Sequence, residues 1–181
     1  MLTPVRLVAL LAPAALLLGC SGDDEPAPPS PDVDVAAVQQ GLVGLWVGDD
    51  TTPEDTATGE CFAEALTDRA TPDELRDAGI LDASYAVVPQ LPFLDREGAE
   101  LWVDAQFACT DFVTESTRAQ VAATKGKVDR TAYDACLRAA LTEDQLREAA
   151  VQSVVGDLGG DAVAAFSQAQ IDCVQGALPP D

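Results

Sequence analysis

The sequence predicts an all-α protein of two tandem, pseudo-repeated helical units, each closed by one disulfide within the unit. Three observations carry that expectation. Apolar residues recur at helical spacing along most of the chain, and alternating strand patterns are scarce. Three ordered blocks of the first half return in the second half. Each half holds two cysteines, one near the start of the repeated stretch and one at its close. The expected organisation is a leader over 1–19, a tether over 20–33, units over 34–110 and 111–176, and a tail over 177–181.

Met1 to Arg6 carries one positive charge, and Leu7 to Leu18 is an apolar run broken only by Pro13. As a helix that run rises about 18 Å, well short of a bilayer core of about 30 Å. It reads as a secretory signal peptide rather than a membrane span. The run stops at Leu17-Leu18-Gly19-Cys20, and acid and proline begin at once. Behind such a leader, these four residues resemble the lipobox of bacterial lipoproteins, with Leu18 where a small residue is usual. The resemblance implies that Cys20 is acylated with palmitate-type chains and becomes the mature N-terminus. It also implies attachment to the cell membrane on its extracytoplasmic face. Two acyl chains anchor a protein stably, whereas one does so only marginally. Ser21 to Pro31 then carries Pro26, Pro28, Pro29 and Pro31 with Asp23, Asp24 and Glu25. That composition cannot bury a core and reads as an extended, solvated tether.

The chain has 181 residues, a formal net charge of −21 and no histidine. A polyanion repels nucleic acid and anionic lipid headgroups, so neither is an expected partner. Without histidine the commonest general base, metal ligand and pH switch are missing.

The repeat justifies the helices in order. Thr56 to Thr67 lies against Thr131 to Thr142, with six of twelve positions identical, including Cys61 and Cys136. Thr71 to Ala78 lies against Thr142 to Ala149, and Ala105 to Cys109 against Ala169 to Cys173. The period of about 75 residues exceeds the common solenoid repeats, so the pattern reads as a tandem duplication. A helical candidate precedes each copy, Val35 to Val47 and Asp111 to Thr124. Thr71-Pro72-Asp73-Glu74 is a capping box with proline at the first helical position, and Gly79 suits its end. Leu101, Ala105, Ala108, Cys109 and Phe112 form the expected stripe of a longer helix beginning near Asp95. In the second copy Tyr133, Cys136, Leu137, Ala140 and Leu141 form a stripe. Thr142 to Gln145 repeats the box, Leu146, Ala149, Ala150 and Val154 follow, and Val163, Phe166 and Cys173 mark the last helix.

In this arrangement Cys61 and Cys136 each precede an Ala-Leu pair, Ala65-Leu66 and Ala140-Leu141, and a second cysteine closes a later helix. It resembles a loose group of secreted or lipid-anchored helical proteins from high-GC Gram-positive bacteria. The resemblance implies the fold and the address, and no activity.

Close cysteine pairs, as zinc or a dithiol redox site would need, are absent. Outside the membrane an even set reads as disulfides. Four cysteines allow three pairings; a pair duplicated with its unit most simply bridges within it, as Cys61–Cys109 and Cys136–Cys173. Acids crowd Asp49, Asp50, Glu54 and Asp55, and again the loop Gly156 to Asp161, without EF-hand spacing. Nucleophilic catalysis lacks its histidine, and no pair of carboxylates stands out for hydrolysis. The expected role is therefore binding or structural, without catalysis, metal or cofactor. A carboxylate-based extracytoplasmic hydrolase and a calcium-binding module are the alternatives. Expected partners are the membrane, through the anchor, and an envelope protein or peptide. Tyr85 to Leu94 is apolar and carries Pro89 and Pro92, which forbid regular helix. It falls where the first copy is longer than the second. Tyr85, Leu91, Phe93 and Leu94 either cover a gap in that copy or form a binding surface.

Overall fold

The computed structural model describes residues 32–48 and 52–179. The leader, Cys20 and its tether up to Pro31, and Asp49 and Asp50, lie outside the described residues.

Helix-starting side chains recur along the described chain. Asp34 accepts from the Ala36 and Ala37 amides and starts α1 (Val35–Val47). Thr52 accepts from Asp55 and, with Pro53 behind it, starts α2 (Pro53–Arg69). Thr71 and Glu74 complete the expected capping box of α3 (Pro72–Asp77). Asp95, Asp111 and Asp129 cap α4 (Arg96–Cys109), α5 (Phe112–Ala123) and α6 (Arg130–Ala140). Thr142 and Gln145 form a second box at α7 (Glu143–Val155). Each cap satisfies amides that the first helical turn leaves without partners. Only α8 (Asp161–Ala177) begins at a residue with no side chain, Gly160. There the Gln152 amide oxygen, reaching across from α7, accepts from the Ala162 and Val163 amides. Besides these eight helices, the described residues contain a single isolated antiparallel bridge, Leu81 with Val87.

Disulfides join Cys61 on α2 to Cys109, the last residue of α4, and Cys136 on α6 to Cys173 on α8. Helix α1 packs on α2 and α2 on α4; α5 packs on α6 and α6 on α8; α7 lies against both α4 and α8. The described residues from Val33 onward form one compact unit.

The apolar interior has two clusters. The first gathers Val38, Leu42, Phe62, Leu66, Leu75, Ile80, Leu81, Trp102 and Val103, among others. Phe62 sits between two tryptophans, with ring centroids 4.8 Å from Trp46 and 4.6 Å from Trp102. The second is smaller and holds Val113, Val128, Tyr133, Leu137, Leu146 and Cys173. Helix α7 serves both, giving Val151 to the first and Leu146 to the second. Tyr133 is fully buried, and its hydroxyl meets Ser116 Oγ, which also accepts from Gln170 Nε2. A buried hydroxyl needs such a partner.

The α4 stripe is corrected. Its inward face is Ala99, Trp102, Val103 and Ala105, while Leu101 is half-buried and Ala108 is exposed. Turning Trp102 inward onto Phe62 rotates the helix away from the expected stripe. Phe112 is not on α4 at all, because the chain leaves helical geometry at Thr110 and Asp111 caps a new helix.

Candidate functional site

The segment Tyr85 to Leu94, expected either to cover a gap or to form a binding surface, folds back on the first cluster. After Gly79, with φ +80, Ile80 and Leu81 enter the core. The Asp82 carboxylate accepts from the Ser84 hydroxyl and from the Ser84 and Ala86 amides. Those bonds, the Ser84 hydroxyl first, hold its pKa below the ordinary value. Tyr85 takes a left-handed backbone, φ 63, unusual for a bulky residue. Its hydroxyl donates to Asp73 at 2.6 Å, and the Arg76 guanidinium lies 4.9 Å over its ring. The bond to Asp73 raises the phenol's pKa. Val87 fills the space over Gly41 of α1, where a Cβ would lie 2.8 Å from its methyl carbon.

The four candidate residues therefore separate. Leu94 is a core residue, 4 % exposed, and its amide donates to the Val154 carbonyl of α7 at 3.1 Å. Tyr85 and Leu91 are half-buried against the first cluster. Phe93 is 72 % exposed and rests one side of its ring on Gly156.

Another concave surface lies where α4 gives way to α5, facing α6 and α7. Phe107, near the end of α4, and Phe112, which opens α5, stack with centroids 4.5 Å apart and planes 16° apart. The Arg147 guanidinium of α7 lies 4.6 Å over Phe107 and pairs with Asp104. Beside this stack runs an open trough of about 560 Å³, lined by Phe107 to Val113, Arg138, Leu141, Glu143 and Leu146. Arg138 is tied to Asp111 at 3.0 Å and to Asp134 at 2.8 Å. Partial burial pulls the Asp111 carboxyl upward, but the Thr114 amide and Arg138 outweigh it, so its pKa is lowered. Thr110, also in the lining, buries a hydroxyl oxygen with no hydrogen-bond partner. Phe112 and Leu146 continue into a smaller apolar hollow of about 170 Å³, completed by Gln106, Ala149, Ala150, Ser153, Val154 and Phe166.

Sequence reasoning did not find this stack. Phe107 and Phe112 are near in sequence, but only the helix break at Thr110 turns their rings together. The acidic loop Gly156 to Asp161 is shaped by helix termini: Gly156 ends α7 with φ 88, and the Gly160 amide donates to Asp157. Among the described residues no three acidic or cysteine side chains gather as metal ligands would, and no helix is long and apolar enough to cross a membrane. No family model, curated protein or solved structure matches the chain.

Proposed function

We propose that this protein is a lipid-anchored binding module of the cell envelope, held on the extracytoplasmic face through Cys20 and without catalytic activity of its own. The observation that carries the reading is the apolar run ending at Leu17-Leu18-Gly19-Cys20, followed at once by a proline- and acid-rich tether. An anchor at one end and a solvated spacer next to it suit a domain that reaches a neighbour from the membrane. Within the module, the trough around Phe107 and Phe112 offers the concave aromatic surface a binding role needs.

The module is proposed to be a duplicated helical unit. The three matched sequence blocks support that reading, as does the like placement of the disulfides, Cys61–Cys109 between α2 and α4 and Cys136–Cys173 between α6 and α8. The anchor is tested by cell fractionation. The wild-type chain should sediment with membranes and a Cys20→Ala chain should not. A Cys20→Ala chain that still fractionates with membranes would refute the anchor.

A further inference from the structure

We propose that the hollow beside Phe112, with the trough it opens into, docks a cationic peptide segment that inserts one apolar side chain. This rests on the binding role above and names its site and partner chemistry. The hollow, about 170 Å³, is smaller than small-molecule sites of about 300–1,000 Å³ and suits one side chain the size of leucine, methionine or phenylalanine. Its wall is almost wholly apolar: Phe112, Leu146, Ala149, Ala150, Val154 and Phe166. An apolar anchor seated in such a pocket is the usual source of peptide-docking energy. The trough shares Phe112 and Leu146 with the hollow and has room for the residues flanking the anchor.

Charge decides the sign of those flanking residues. The two guanidinium groups beside the stack are already engaged, Arg138 with Asp111 and Asp134, and Arg147 with Asp104 and the Phe107 ring. An anionic segment would have to displace a carboxylate from one of them while approaching a chain of net charge −21. A cationic segment is drawn in by that field. At the trough edge Glu143 is 75 % exposed and meets Arg147 only at 3.6 Å, so it can accept an incoming lysine or arginine.

The site is also held in shape before a ligand arrives. Stacking fixes Phe112 against Phe107, the Cys61–Cys109 disulfide fixes the end of α4, and Arg138 ties the start of α5 to α6. A preformed surface loses little freedom on binding.

The test is selection of random dodecapeptides displayed on phage against the oxidised full chain in low salt. Selected sequences should converge on one leucine, methionine or phenylalanine flanked by lysine or arginine. The synthetic peptide should lose about tenfold or more in affinity for Ser153→Trp, which fills the hollow from an exposed position of α7. Gln106→Trp plugs the hollow from α4 and gives the same reading if the first variant misfolds; circular dichroism checks both. Glu143→Gln and raised salt should each weaken binding. Failure to converge, convergence on acidic peptides, or affinity indifferent to both plugs would overturn the docking site. None of those results touches the anchor at Cys20, which fractionation tests separately.

Discussion

The ring of Phe93 occupies the space a side chain at Gly156 would need: a Cβ built there would lie 2.8 Å from the ring. Gly156 also takes φ 88 as the αL residue ending α7. The segment from Tyr85 to Leu94 thus reaches the turn between α7 and α8, and the Leu94–Val154 backbone bond sits beside that contact. Gly156→Ala should cost about 1–2 kcal/mol from backbone strain alone, and more while Phe93 is present. Thermal melts of Gly156→Ala with and without Phe93→Ala separate the two contributions. Equal losses in both backgrounds would show that the ring contact carries no energy.

The candidate surface residues should differ sharply under truncation. Leu94→Ala empties a core position and should cost about 2–5 kcal/mol. Phe93→Ala removes a largely exposed ring and should cost under about 1 kcal/mol. Urea titration of the two single variants decides; similar losses would contradict the placement of Leu94 inside and Phe93 outside.

The disulfides should yield to reductant in order. Cys61 is exposed, whereas Cys173 is 1 % exposed within the second cluster. A soluble phosphine without denaturant, followed by alkylation and peptide mapping, should label Cys61 and Cys109 first. Each bridge contributes about 4 kcal/mol in the loop-entropy model, so loss of both should unfold the chain or nearly so. Earlier labelling of Cys136 and Cys173 would overturn the order.

Acid should destabilise the fold through a few carboxylates. The Thr71 amide lowers Glu74, the Ser84 hydroxyl lowers Asp82, and Arg96 lowers Glu148. A carboxyl whose folded pKa lies below its unfolded value stabilises fully above the unfolded value. That contribution is lost as pH falls through the folded value. Reference carboxyl values lie at about 4. The urea midpoint of Glu148→Gln should therefore fall below wild type at neutral pH and meet it in strong acid. A difference that persists in strong acid would exclude the Arg96 pair as its cause.

Much of the helical framework was legible because its signals are local. Thr71 with Glu74 and Thr142 with Gln145 announce two helix starts from adjacent residues, and both boxes form. Tyr133 and Leu137 follow their stripe inward. What escaped depends on distant residues. Trp102 chooses the face of α4 because Phe62 is waiting, and Gln152 caps a helix nine residues further on. The Phe107–Phe112 stack forms across a helix break, and the Arg147 that lies over Phe107 comes from another helix. Leu94 was open to either reading, packing or surface, because nothing local records the Val154 carbonyl that holds it.

The account is tested most directly by mass spectrometry of the membrane-extracted protein, digested without reduction. It predicts an N-terminal peptide beginning at an acylated Cys20 and two crosslinked pairs, Cys61 with Cys109 and Cys136 with Cys173. An unmodified Cys20, or Cys109 joined to Cys136, would contradict it.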